Sequence, residues 1–128
     1  LSVPVFAVVL RKGYGLGAQA MTGGSFHAPF FNISWPTGEF GGMGLEGAVR
    51  LGYRREMEAI EDPDEREAFF QKMVAKYYEN GKATNMASFL EIDAVIDPAE
   101  TRHWIARGLK SLPPMEPGLK GRAFIDTW

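Results

Sequence analysis

Hydrophobic residues in the first half of the chain form short continuous runs. The run at 5–10 is rich in β-branched residues, which is typical of a strand buried on both faces in a parallel sheet. A second run at 30–35 predicts another short strand. Between them, glycines at 13–17 lead into a small-residue helix that Gly23 and Gly24 end with a left-handed cap. Strand, helix and strand in this order predict an α/β fold.

Two helices in the second half begin with the same signal. Asp62-Pro63 and Asp97-Pro98 each place a carboxylate where it accepts hydrogen bonds from first-turn amides, followed by a proline. Behind the first, apolar residues on one face predict a helix that ends at Asn80-Gly81. Further helices are predicted over 45–60 and 84–90. Behind the second cap, the predicted buried stripe consists of Trp104, Ile105 and Leu109.

Charge and composition exclude several classes of site. The net charge is −2 and there is no cysteine, so we expect no nucleic-acid partner, disulfide or thiolate chemistry. His27 and His103 lack the spacing of metal ligands, so we expect no metal site. No apolar run is long enough to span a membrane, and no signal peptide is recognisable. We therefore expect a cytoplasmic protein without a membrane partner.

Glycine and charge divide the chain. Eleven of the 15 glycines lie in residues 1–52, where only five residues are charged. We expect a glycine-rich core over 1–52, a helical region over 53–112 and a tail over 113–128. The chain starts directly in a predicted core strand, without an initiator methionine. We therefore expect it to be a fragment of a longer protein.

The glycine turn at 13–17 is the strongest candidate for chemistry. Its backbone amides, at the start of a helix, are suited to binding an anion or stabilising an oxyanion. The same glycines are equally compatible with a turn that has no chemical role. The G-x-G-x-G spacing does not fit a dinucleotide site, and no G-x-S-x-G elbow is present. No general acid, base or nucleophile stands out.

Several motifs in this order resemble a known family. They are Val3-Pro4 before the first strand, Arg11-Lys12-Gly13-Tyr14-Gly15-Leu16-Gly17-Ala18, Trp35-Pro36-Thr37, Met43-Gly44-Leu45-Glu46-Gly47-Ala48-Val49, and the segment 92–102. Together they resemble the carboxyltransferase component (β-type subunit) of biotin-dependent acyl-CoA carboxylases, such as propionyl-CoA and acetyl-CoA carboxylases. The resemblance covers essentially the whole chain. It implies a crotonase-like ββα-spiral fold, with this chain as a partial domain, the C-terminal part of the second of two such domains.

The resemblance also implies a mechanism that needs no protein acid or base. In this family, carboxybiotin releases carbon dioxide, and the freed biotin nitrogen takes the α-proton of a short acyl-CoA. The resulting carbanion then attacks the carbon dioxide. Backbone amides of one domain hold the thioester oxygen, and those of the other hold the biotin oxygen.

The resemblance places the biotin-side oxyanion site on the glycine turn. Counted without a gap, the two donor amides are those of Leu16 and Gly17. A shift of one residue, to Gly17 and Ala18, stays open, because the family commonly has Gly-Gly-Ala where this chain has Gly-Leu-Gly. Gly15, Ala18 and Gln19 are expected to contact substrate. Gln19 stands where propionyl-type members often have an acid that lines the acyl pocket, so the acyl preference is open.

The implied cofactor is biotin on a carrier protein, and the implied substrate is an acyl-CoA. The implied partners are the biotin carboxyl carrier and biotin carboxylase components, the N-terminal carboxyltransferase domain and further copies of the subunit. Two alternatives remain. One is a non-catalytic binding or assembly module with the same fold. The other is a crotonase-type hydratase or isomerase, which would need carboxylates beside the turn, whereas the nearest acid after it is Glu39.

Overall fold

The computed structural model describes residues 3–114, so the predicted tail at 113–128 lies outside the described residues except for Pro113 and Pro114. Every strand pairing between the named strands of this range is parallel, and the crossovers run through helices. The predicted α/β class is therefore confirmed. The strands are β1 Phe6–Val9, β2 Lys12–Tyr14, β3 Phe31–Ser34, β4 Glu39–Gly41 and β5 Ala94–Val95.

The strands form two small sheets. One has the order β1-β3-β5 and contains both of the strands that the hydrophobic runs predict. The other pairs β2 with β4, which the sequence analysis did not predict. The segment expected to be a free glycine turn is thus a strand as far as Tyr14. A Cβ at Gly13 would lie 3.4 Å from the Phe40 ring and from Val9 Cγ1, so β2 packs directly against these two side chains.

The predicted helix over 45–60 is wrong as a single element. It is divided at Tyr53, whose φ of −110° and ψ of 23° leave the helical region. Gly52 has a low helix propensity, and the Tyr53 ring packs edge-on against Phe69 and Tyr77, which favours the break. The helices are α1 Gly15–Met21, α2 Leu45–Gly52, α3 Arg54–Glu58, α4 Pro63–Asn80, α5 Ala83–Ser88 and α6 Thr101–Ser111.

Both aspartate caps form. Asp62 accepts from the amides of Asp64 and Glu65, at 2.8 and 3.4 Å, and α4 ends at Asn80 as predicted. Asp97 accepts from the amide of Ala99 at 2.8 Å, but it caps a 3-10 turn, Pro98–Glu100, that precedes α6. Gly23 and Gly24 adopt positive φ angles of 92° and 111° after α1, which confirms the left-handed cap.

The core consists of three apolar clusters. The first packs β3 against α6, the second lies between β4 and α5, and the third joins α2 to α4. The prediction that Leu109 is buried is wrong, since it is 56% exposed. Gly108 is the buried residue there, because α6 approaches the rings of Phe6 and Phe31 closely. That approach turns Leu109 towards solvent. Trp104 and Ile105 pack against the first cluster as predicted.

Candidate active site

Strand β2 runs directly into helix α1 at Tyr14. Tyr14 is the N-cap of the helix, with φ −107° and ψ 133°, and no side chain caps the first turn. The first-turn amides of an α-helix have no partner within the helix, so those of Leu16 and Gly17 keep free hydrogen-bonding capacity.

An open groove of about 670 Å³ lies between β1 and α1. Gly17 and Ala18 line it, whereas Gly15, Leu16 and Gln19 are not among its lining side chains. Its other lining residues are mostly apolar and include no carboxylate and no histidine. They are Phe6, Ala7, Val8, Val9, Leu10, Arg11, Lys12, Gly13, Tyr14, Met21, Thr22 and Phe26.

Solvent reaches the first turn of α1. Leu16 is 81% exposed, and a Cβ added at Gly17 would have no heavy atom within 4 Å. Gln19 is half-buried, and its carbonyl accepts from the amides of Thr22 and Gly24 at 3.1 and 2.8 Å. Gln19 therefore takes part in ending the helix through its backbone carbonyl, and it does not line the groove.

Gly15 makes the bend between β2 and α1. Its φ is +63°, and a Cβ there would lie 2.9 Å from the carbonyl oxygen of Gly42. Both the backbone angle and this close approach require glycine. The segment after β4 therefore packs against the turn, although the two segments are far apart in the sequence.

A polar pair flanks the turn on the other side. The Tyr14 hydroxyl donates to Glu39 Oε2 at 2.9 Å, and Arg11 Nε lies 3.5 Å from Glu39 Oε1. Burial raises the pKa of Tyr14 above its usual value, and the Glu39 carboxylate raises it further. The hydroxyl therefore stays protonated and donating at neutral pH. The sequence analysis did not predict this pair, because no local sequence pattern indicates that β2 lies beside β4.

The two histidines are exposed and do not line the groove. His27 Nε2 lies 3.7 Å from Glu91 Oε2, a surface pair. Between residues 3 and 114, no three or more His, Asp or Glu side chains are grouped so that they could hold a metal ion. Over the same range, no helix is both long and apolar enough to cross a membrane.

Comparison with known proteins identifies the family. Residues 1–113 match the family described as the carboxyl transferase domain. The chain belongs to this family. This chain is 35% identical over 112 residues to the propionyl-CoA carboxylase carboxyltransferase subunit of Haloferax mediterranei. It is 38% identical over 110 residues to the methylmalonyl-CoA carboxyltransferase 12S subunit of Propionibacterium freudenreichii subsp. shermanii. These matches cover 87% and 85% of the chain but only 21% and 20% of the relatives.

Solved structures of carboxyltransferases share the fold. A transcarboxylase 12S structure, with methylmalonyl-CoA and methylmalonic acid bound, matches with a TM-score of 0.75 and 32% identity. The match covers 96% of the present chain and 24% of the transcarboxylase 12S chain. A single-chain, multi-domain long-chain acyl-CoA carboxylase matches with a TM-score of 0.70 and 57% identity, over 84% of this chain and 10% of that one. The crotonase-like fold inferred from the sequence motifs is thereby confirmed.

Proposed function

We propose that this chain is the part of a biotin-dependent acyl-CoA carboxyltransferase that supplies the biotin-side oxyanion site. The observation that carries the proposal is the start of α1. Two first-turn amides, those of Leu16 and Gly17, lack intrahelical partners beside an apolar groove. Such amides are fixed donors for an oxygen that gains negative charge during the reaction.

The groove fits the ring system of biotin. Its wall includes Ala7, Val9 and Phe26, which suit the apolar sulfur-containing ring of the bicycle, and Gly17 leaves open space at the amide end. Bound carboxybiotin would supply the transferable carboxyl group and a ureido nitrogen able to act as the base. The chain's residues would hold the ureido oxygen and orient the ring. The groove lining has neither a carboxylate nor an imidazole, which is consistent with a base that the protein does not provide.

We assign the donor amides to Leu16 and Gly17, the second and third residues of α1, since first-turn amides lack intrahelical partners. The pair shifted by one residue, Gly17 and Ala18, stays the alternative, because both of these residues line the groove. Gly15 shapes the turn, and Gln19 does not line the groove.

The substrate class we propose is an acyl-CoA. The relatives named above act, by their names, on propionyl-CoA, methylmalonyl-CoA and long-chain acyl-CoA. The resemblance in the motifs favours a short acyl group, whereas the 57% identical structure is of a long-chain enzyme. Parallel assays with propionyl-CoA and palmitoyl-CoA would decide between them.

The proposed partners follow from the same assignment. They are the biotin carboxyl carrier and biotin carboxylase components, an upstream carboxyltransferase domain that holds the thioester, and further copies of the subunit. The hexamer assembly described for the transcarboxylase 12S structure supports an oligomer. A crotonase-type hydratase or isomerase is disfavoured, because it would need carboxylates at the groove.

The test is Gly17→Pro in the assembled enzyme, with the upstream half supplied. Proline removes one donor amide, and helices tolerate it in their first turn. We expect carboxyl transfer to fall by about 100- to 1,000-fold. Leu16→Ala is the matched control. It keeps the amide and shortens an exposed side chain that does not line the groove, so activity should stay within about twofold of wild type.

Titration with free biotin separates the enzyme from a non-catalytic module. We expect wild type and Leu16→Ala to bind biotin, and Gly17→Pro to bind it more weakly. Full activity in Gly17→Pro would overturn the oxyanion assignment. An inactive wild-type assembly that does not bind biotin would instead favour the non-catalytic module.

A further inference from the structure

The backbone that carries the donor amides is intrinsically flexible. Gly13, Gly15 and Gly17 alternate along it, and glycine restricts the backbone least of all residues. Leu16 offers no anchor, since its side chain is 81% exposed. An oxyanion site nevertheless needs donors that are already oriented before the charge develops. Some contact from outside the turn must therefore fix these amides.

Tyr14 is placed to make that contact. It is both the last residue of β2 and the N-cap of α1. Its backbone lies two residues from the amide of Leu16 and three from that of Gly17. A rotation of Tyr14 would therefore turn both donors.

The pairing of β2 with β4 explains how the Tyr14 hydroxyl reaches Glu39. Tyr14 lies opposite Gly41, and Lys12 lies opposite Glu39, in a parallel register. Tyr14 and Glu39 thus share a face and are diagonal neighbours. A Cβ added at Gly41 would lie only 3.8 Å from Tyr14 Cδ1, so the ring passes directly over that glycine. The hydroxyl then donates to Glu39 Oε2 at 2.9 Å.

Glu39 is itself held in place. Its side chain is 24% exposed, and Arg11 approaches its other carboxylate oxygen at 3.5 Å. Glu39 also begins β4, where its amide donates to the carbonyl of Arg11 at 2.6 Å. Tyr14 is thereby tied to a residue fixed by both its backbone and its side chain. On the opposite side, the Gly42 carbonyl abuts Gly15.

We propose that Tyr14 is a positioning residue for the oxyanion site: its hydrogen bond to Glu39 holds the amides of Leu16 and Gly17 in the orientation that stabilises the reaction. This inference rests on the proposed carboxyltransferase function and adds a residue to it. Tyr14 acts through the backbone and does not itself bind the reacting oxygen.

The test is Tyr14→Phe in the assembled enzyme. Phenylalanine keeps the ring over Gly41 and removes only the hydroxyl. We expect kcat to fall by about 10- to 100-fold, because misplaced catalytic groups cost rates of this order. The KM for acyl-CoA should stay within about twofold, since that substrate is assigned to the other domain.

Tyr53→Phe is the control. It also removes the hydroxyl of a half-buried tyrosine, but one that packs against Phe69 and Tyr77 in the cluster around Val49. We expect its kcat to stay within about twofold of wild type. Thermal unfolding of each variant would show whether a loss of stability contributes to a change in kcat.

Variants of Glu39 test the hydrogen bond directly. Glu39→Gln keeps an acceptor and should retain most of the activity, whereas Glu39→Ala should fall as far as Tyr14→Phe. The double variant Tyr14→Phe/Glu39→Ala should be no slower than either single variant, because both remove the same interaction. If the fold-losses in kcat of the two single variants multiply in the double variant, the inference is overturned.

The inference and the proposed function fail in different ways. If Gly17→Pro abolishes transfer and Tyr14→Phe leaves kcat within about twofold, only the positioning role of Tyr14 is overturned. If the wild-type assembly transfers no carboxyl group, the proposed function is overturned and this inference with it.

Discussion

Gly81 ends α4 with ordinary backbone angles, φ −83° and ψ 5°. The sequence places a glycine where helices often end in a left-handed residue, but no such conformation occurs here. The reason for glycine is a close approach, because a Cβ would collide with the carbonyl oxygen of Phe40. The amide of Phe40 donates to the Gly81 carbonyl at 2.8 Å, so α4 is fastened to β4 at this point.

Substitution of Gly81 should therefore destabilise the fold. We expect Gly81→Ala to lower the free energy of unfolding by about 1–3 kcal/mol, the usual cost of overpacking. Gly47→Ala is the control, since Gly47 is exposed within α2 and its Cβ would meet only Met43 Cε at 3.6 Å. That change should raise stability by up to about 1 kcal/mol through helix propensity. Chemical denaturation of both variants would show opposite signs, and a stabilised Gly81→Ala would contradict this account.

Helix α4 is the longest element of the described residues and depends on its first turn. Asp62 caps it, Pro63 has no amide to leave unsatisfied, and the helix carries Phe70 and Val74 to the cluster around Val49. These local signals act within a few residues, which explains why its bounds were predictable. The division of α2 from α3 depends instead on the Tyr53 ring, which contacts residues of α4.

The cap can be tested without touching the core. Asp62→Ala removes the acceptor for the amides of Asp64 and Glu65, and we expect a loss of about 1 kcal/mol in the free energy of unfolding. Glu61→Ala, at the exposed preceding position, should change stability by less than about 0.5 kcal/mol. Equal denaturation midpoints for the two variants would contradict the capping role.

Across the whole molecule, the proposed reaction needs more than this chain provides. Strand β1 is an edge of the three-stranded sheet, and its face contributes to the open apolar groove. The chain spans about a fifth of the length of the relatives reported above. The site we propose holds the biotin oxygen, whereas the thioester oxygen is assigned to another domain.

The 128-residue chain alone should therefore have no carboxyltransferase activity. Incubation with carboxybiotin and labelled acyl-CoA should give no carboxylated product, because we assign the thioester-side oxyanion site to another domain. Addition of the upstream half should produce it. Circular dichroism of the isolated chain would confirm that it is folded in the negative assay. Robust formation of methylmalonyl-CoA or malonyl-CoA by the chain alone would refute the shared site.

The sequence by itself determined the features whose causes are local. Hydrophobic runs predicted β1 and β3, Asp62 predicted the start of α4, and paired glycines predicted the end of α1. Asp97 predicted a helix at this point of the chain, where a 3-10 turn precedes α6. The motif around the glycine turn was enough to indicate the family, which the match over residues 1–113 then established. Each of these signals is contained in a few consecutive residues.

Tertiary structure decided everything that joins distant residues. The pairing of β2 with β4 turned an expected loop into a strand, and the Tyr14–Glu39 bond spans 25 positions of the chain. Burial of Gly108 instead of Leu109 depends on the rings of Phe6 and Phe31. No local pattern encodes such contacts, because each requires two segments to be brought together by the packing of others. The sequence thus indicated the glycine turn as the candidate site, and the packing decided which distant residues lie against it.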